Sequence, residues 1–308
     1  MSNYDPPQRN HFSRGLWVLS LAVVIFLPAF FSGCSSAPRR PEEVFTVRIT
    51  ATNLLNLASY NASQGRFEEA LFILEDAWRL VLSTDDPPLR VTTAISRGSI
   101  LFSLGRYAEA FETWESASAE GDASLLPVPA AQARIYTIRA RLVQLSNTHE
   151  GGQEADAEAE QLRAQVLREI AAVRAEAGIV ASGYLTLALA QKQLRRWTEA
   201  ENAAREALRI YERDRLLEDT AYAWFIIASI RSVSGNHNAA LEALRTAIAF
   251  DRRAENGFGL ASSWHAMGDV YQNAGRIAES RAAHRRAADI YRAIGLYDRA
   301  EALELLLR

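Results

Sequence analysis

The feature that most constrains this chain of 308 residues is a turn that keeps returning at one interval. Gly65-Arg66-Phe67-Glu68-Glu69-Ala70 recurs 40 residues later as Gly105-Arg106-Tyr107-Ala108-Glu109-Ala110. The same spacing links Arg195-Arg196-Trp197-Thr198-Glu199-Ala200, Gly235-Asn236-His237-Asn238-Ala239-Ala240 and Gly275-Arg276-Ile277-Ala278-Glu279-Ser280. A fixed period of this length marks an array of stacked supersecondary units, each of which buries its apolar face against the next. Between the turns, apolar residues recur three and four positions apart, as in Leu71, Leu74, Trp78 and Val81, and strand alternation is almost absent. That spacing predicts amphipathic helices, so each turn joins two of them.

Glycine, an aromatic residue two positions on and alanine three after that resembles the turn of tetratricopeptide repeats. The other signature positions are present too. Small residues fall in the first helix at Ala58, Gly98, Ala188, Ala228 and Gly268, and in the second at Ala77, Ala117, Ala207, Ala247 and Ala287. The resemblance runs from about residue 45 to 308 and implies an all-α, right-handed superhelix (α-solenoid) of antiparallel helix hairpins. It divides the chain into hairpins 1-2 at 45-118, a degenerate hairpin with a long turn at 119-178, hairpins 4-6 at 179-295, and a capping helix at 296-308. Leu303, Leu306 and Leu307 of that cap would cover the last hairpin. In the irregular stretch, helices are expected from Leu126 to Leu145 and from Ala155 to Ala177, the second ended by Gly178, with a loop from Asn147 to Gln153. The same stretch also fits a spacer hairpin between two repeat blocks.

The first 33 residues read as an export signal. Arg9, His11 and Arg14 precede an apolar run from Leu16 to Phe31 that stops at Ser32-Gly33-Cys34. The run is shorter than the roughly 20 residues that span a bilayer, which favours cleavage over a permanent membrane helix. Cys34 is the only cysteine, so neither a disulfide within the chain nor a multi-cysteine metal site is open to it. Phe31-Ser32-Gly33-Cys34 resembles the bacterial lipobox, which implies lipidation at Cys34, with residues 34-44 as a proline-stiffened tether. By the same resemblance, Ser35 in place of Asp directs the protein to the outer membrane, facing the periplasm.

Chemistry is sparse. A net charge of -3, with Lys+Arg 34 against Asp+Glu 37, does not suit neutralising the phosphates of a nucleic acid. The histidines beyond the signal, at 149, 237, 265 and 284, form no HExxH pair and show no ligand spacing, so no metal and no cofactor is expected. Gly257-Phe258-Gly259 follows no strand and reads as a turn rather than a phosphate loop. No nucleophile elbow or P-loop occurs, so the chain is not expected to be an enzyme.

The remaining candidates are positions on the first helices that face away from the packed stripe: Leu55 and Ser59; Ile95, Ser99 and Phe102; Ile135, Arg139 and Leu142; Leu185 and Leu189; Phe225 and Ser229; His265, Asp269 and Gln272. That face is largely apolar. It lacks the paired cation and asparagine with which chaperone-binding members of the family hold a peptide carboxylate. The reading is a scaffold or adaptor that takes an apolar strip of an envelope protein partner on its inner face. Two alternatives stay open: these residues pack inside a closed superhelix, or a small ligand or transporter-associated role uses a pocket within it. Lipidation has a direct test, because only a thiol supplies the thioether. Cys34→Ser is expected to abolish incorporation of radiolabelled palmitate, and label retained on the variant would refute the assignment.

Overall fold

The computed structural model describes residues 46–147, 152–173 and 176–307. The export segment, Cys34 and the tether lie outside them, as do His149 and most of the loop expected between Asn147 and Gln153. Among the described residues there is no strand, and no helix is long and apolar enough to cross a membrane. The described residues form thirteen helices in series: α1 Thr46–Ser63, α2 Phe67–Thr84, α3 Pro87–Ser103, α4 Tyr107–Ala123, α5 Pro127–Asn147, α6 Gln153–Ala172, α7 Ala177–Gln193, α8 Trp197–Asp214, α9 Leu217–Val233, α10 His237–Ala254, α11 Gly257–Asn273, α12 Ile277–Ala293 and α13 Tyr297–Leu306. Consecutive helices pair as antiparallel hairpins, and the hairpins stack into an all-α superhelical repeat fold.

Helix length is set at the turns. A left-handed backbone residue stands at Gly65, Asp85, Gly105 and Leu125, and again at Arg195, Arg215, Gly235, Glu255, Gly275 and Gly295. Within each series the interval is 20 residues, half of the sequence period. At Gly65 the geometry is a Schellman closure: Gly65 N–H donates to Ala62 O at 2.9 Å and Arg66 N–H to Asn61 O at 2.9 Å. The longer of these bonds returns as Arg106 to Leu101, Leu126 to Gly121, Arg196 to Gln191, Leu216 to Tyr211 and so on to Leu296 to Tyr291. Each closure satisfies carbonyls that the helix end would leave bare. It also reverses the chain after about five turns of helix.

Three helices separate Leu125 from Arg195, and that interval exceeds three such units by ten residues. The surplus goes into α5 and α6, of 21 and 20 residues against the usual 17 or 18, and into longer turns. The end of α6 corrects the sequence reading. The helix stops at Ala172 rather than Ala177, and Gly178 lies in the first turn of α7. The stripe of Ala159, Leu162, Val166, Ile170 and Val173 is buried up to that point, and Glu176 N–H then bonds Val173 O to turn the chain.

Close approach between helices depends on the small residues. Ala58, Ala77, Ala188, Ala207, Ala228, Ala247 and Ala287 are buried, each at most 1% exposed. A Cβ on Gly98 would lie 2.4 Å from Trp114 Nε1, whose N–H reaches Ile95 O at 3.1 Å. A Cβ on Gly268 would meet the His284 ring at 2.1 Å. In the cap, Leu303 is buried against Ala287 and Tyr291, while Leu306 is 71% exposed. The expectation that Leu306 covers the last hairpin therefore fails: three residues on from Leu303, it is turned about 60° off the buried stripe of α13.

The ends of the array meet. Phe67 of hairpin 1 packs edge-to-face on Phe258 of hairpin 6, with ring centroids 5.0 Å apart. Gln64 Nε2 donates to Glu255 O, and the bare face of Gly65 sits against Ile294 and Leu296. Six hairpins thus complete one closed turn.

Leu125 holds the left-handed conformation with φ +55° and is 87% exposed, so it carries strain without any packing return. Leu125→Gly is expected to stabilise the protein by about 1 kcal/mol in denaturant unfolding. Gly105→Ala, at φ +79° with open space around its Cβ position, should cost about as much.

Candidate functional site

Closure leaves a hollow on the inner side. One lobe, of about 370 Å³, lies between α1 and α3 on one side and α5, α9 and the start of α11 on the other. A second lobe, of about 250 Å³, continues along α9 and α11. Glu218, Asn256 and Phe258 line both. The α1 and α3 wall carries small hydroxyls, Ser59, Thr92, Ser96 and Ser99. Thr92, Ser96 and Ser99 donate to carbonyls one turn back in their own helix, which leaves oxygen lone pairs facing the space. The opposite wall carries Tyr222, Phe225 and Phe258, with Tyr222 and Phe225 stacked 13° from parallel.

Two carboxylates, Glu218 and Asp251, line this side, and Asp219 adjoins Glu218. Glu218 and Asp219 open α9, where the helix dipole favours anions. Solvent reaches both, yet the concave protein mass around them desolvates them and raises their pKa values; Asp219 adds to the effect on Glu218, and Arg139 partly offsets it at Asp219. Asp251, at the end of α10, is 2% exposed. Burial raises its carboxyl to about 7, against the opposing hydrogen bonds from Ser263 Oγ at 3.1 Å and Asn256 Nδ2 at 3.0 Å. Asn256 also accepts from Gly259 N–H at 2.9 Å. Gly257-Phe258-Gly259, read in the sequence as a turn, instead forms the first turn of α11, and because a Cβ on Gly259 would lie 2.3 Å from Asp251 Oδ1, the glycine lets that helix start lie over this carboxyl.

Of the positions expected on the inner face, Ser59, Ile95, Ser99 and Phe225 line the hollow. Arg139 ties three helices: its guanidinium donates to Ser182 O and Oγ, each at 2.7 Å, and to Thr186 Oγ1 at 3.1 Å, between the Tyr136 and Tyr222 rings. Ser229 accepts from Lys192, the only lysine of the chain. Phe102 packs on Tyr107 and Trp114, and Leu189 is half-buried against the core. Leu55, Ile135, Leu142 and Leu185 are buried between hairpins, out of reach of a partner. Ile95 is itself only 5% exposed. The wall is thus largely apolar but aromatic more than aliphatic, with hydroxyls and carboxylates set into it, because most of the aliphatic residues assigned to it turn into the helix-to-helix contacts. Sequence reasoning missed Glu218, Asp251 and Asn256, which stand beside the inter-hairpin turns rather than on the repeat face.

His265 and Asp269, one turn apart on α11, do come together, and His284 of α12 joins them. His284 is 3% exposed, and its Nε2 lies 3.0 Å from Asp269 Oδ1. His265 Nε2 is 3.8 Å from Asp269 Oδ2; desolvation foremost lowers its pKa, with Asp269 opposing and His284 and Arg299 adding to the decrease.

Tetratricopeptide repeat family models match residues 219–293 and 180–213. No curated protein matches. Among solved structures, a Rap protein complexed with competence and sporulation factor superposes with a TM-score of 0.57 at 14% identity, over 84% of this chain and 73% of that one. A signal transduction ATPase with a tetratricopeptide repeat sensor, from Pyrococcus horikoshii, gives 0.53 at 15% identity, over 82% of this chain and 37% of that longer one. At these identities the likeness speaks for the fold.

Asp251 makes stability depend on pH. Its native carboxyl holds a proton up to about pH 7, whereas the unfolded one releases it near 4. The native state therefore binds more protons in that window, and this stabilisation is complete below pH 4 and lost as pH rises through 7. Between pH 5 and 8, Asp251→Asn is expected to remove about 2 kcal/mol of the fall in unfolding free energy. Identical pH profiles for native and variant protein would refute the assignment.

Proposed function

Because the chain is a tetratricopeptide repeat protein, we propose that it is a non-catalytic interaction scaffold whose inner hollow receives a segment of a partner protein carrying a cationic group. The observation that carries this reading is the meeting of Glu218 and Asp251 with Tyr222, Phe225 and Phe258 on one concave surface, with Asp219 next to Glu218 in the chain. Aromatic faces attract cations through their quadrupoles, and carboxylates already desolvated by the protein gain more from a cation than exposed ones do. The hydroxyls of α1 and α3 would serve the backbone of an extended segment.

Lipidation at Cys34 and residence on the periplasmic face of the outer membrane belong to the same proposal and rest on the lipobox resemblance. The partner is then an envelope protein. A small cationic ligand is the second reading, favoured by closure of the array, since the combined lobes fall within the 300 to 1,000 Å³ usual for ligand pockets. The Rap protein, of similar fold, has a factor bound in its own structure.

Affinity capture of the lipidated protein from membranes, with native and variant chains side by side, tests this. Glu218→Gln with Asp219→Asn is expected to lose the partner while leaving the melting temperature unchanged or raised, because two desolvated charges are removed. Phe225→Ser should weaken capture about 30-fold, equivalent to roughly 2 kcal/mol for a lost aromatic anchor. Undiminished capture by the double variant would overturn the assignment of the hollow.

A further inference from the structure

We propose that His265, Asp269 and His284 form a binding site for a divalent cation of borderline softness, with Zn²⁺ as the fitting ion. The three candidate ligand atoms lie within 4.8 Å of one another. Tetrahedral zinc with nitrogen and oxygen ligands at about 2.0–2.1 Å places its ligands roughly 3.3 Å apart. His284 Nε2 lies 3.0 Å from Asp269 Oδ1 and His265 Nε2 3.8 Å from Asp269 Oδ2, so the two imidazoles face the two oxygens of one carboxylate at separations either side of that value. Two imidazoles and a carboxylate are the donor set that zinc accepts with a fourth position left for water, and the exposed side of Asp269 leaves that position open.

A comparison within the chain supplies an independent argument. Gly98 and Trp114, and Gly268 and His284, stand at the same separation in their hairpins, and in both the glycine clears room for a ring from the second helix. In hairpin 2 that ring is an indole, and its N–H is satisfied by Ile95 O. Leu74 and Leu244 fill the equivalent place in hairpins 1 and 5 and are buried. Packing therefore asks only for an apolar body there. Histidine supplies instead a fixed nitrogen, held by the glycine notch and directed at a carboxylate that a second imidazole also faces. His284 is the preorganised ligand, and His265 is the mobile one that closes on the ion. Arg299 works against the site. It lies over the Phe258 and Tyr291 rings, close enough to lower the proton affinity of His265, and it repels a dication by the same field.

Isothermal titration of the untagged full-length protein with Zn²⁺ tests this, together with the visible spectrum of Co²⁺ as a report of tetrahedral coordination. One ion per chain is expected, released by chelator, with a thermal shift upward on binding. His265→Ala and Asp269→Asn, whose side chains are exposed enough to spare the fold, should each weaken binding at least tenfold. Their melting temperatures without metal should stay near the native value, which separates a lost ligand from a damaged helix. Arg299→Gln should tighten binding severalfold. Absence of a saturable Zn²⁺ site at 100 µM, or unchanged affinity in the His265 and Asp269 variants, would overturn the proposal and leave a histidine–carboxylate hydrogen-bond network only.

Discussion

The left-handed residue that ends ten of the helices is the constraint on which the rest depends. A Schellman closure reverses the chain within three residues and satisfies the last carbonyls without any side chain. Recurring every 20 residues, it makes successive helices nearly equal in length, so the hairpins register and stack. Buried alanines and glycines then line up across neighbouring helices, allowing the close approach seen at Gly98 and Gly268. With equal units, small rotations per hairpin accumulate in one sense. Curvature is thus a property of the repeat, and closure follows from its sum.

Closure converts a groove into a hollow. An open array would expose its first helices along a trough, and aliphatic residues there would offer a continuous apolar strip. Here Phe67 meets Phe258 and Gly65 meets Ile294, so hairpins 1 and 6 seal the sides and the inner helices crowd together. Ile135, Leu142 and Leu185 are drawn into contacts between hairpins, and aromatic, small and charged side chains keep the remaining space. Arg139 illustrates the pressure: its guanidinium is held by Ser182, Thr186 and two tyrosine rings, and therefore works as a tie more than as a free cation.

The 40-residue period was legible because glycine fills the left-handed position at residues 65, 105, 235 and 275, and glycine advertises that conformation. The 20-residue half-period was hidden, since Asp85, Leu125, Arg215 and Glu255 adopt the same backbone without any such signal. Helical periodicity placed Ser59, Ser99 and Phe225 on the inner side, because a face is a local property of one helix. It misplaced Leu55 and Leu185, because the width of the buried stripe depends on neighbours far along the chain. The His265, Asp269 and His284 cluster escaped for a related reason: His265 and Asp269 share one face of α11, but the third member comes from α12 across a turn, at a spacing no ligand motif uses.

The absence of the paired cation and asparagine that hold a peptide carboxylate takes on a positive sense beside this structure. A hollow lined by Glu218 and Asp251, with Asp219 adjacent, has the opposite polarity and would repel an acidic terminus. Desolvation of these carboxyls is a standing cost to the fold, and a cation seated among them would offset it, so occupancy and stability are coupled through the same residues. Asp251 extends the coupling to the backbone, since its hydrogen bonds to Asn256 and Ser263 hold the first turn of α11 against α10. That turn also carries Phe258, which lines the hollow and bears on Phe67 at the seam. A charge placed in the hollow therefore acts on the contact that closes the superhelix, and the seam is where binding and shape would communicate.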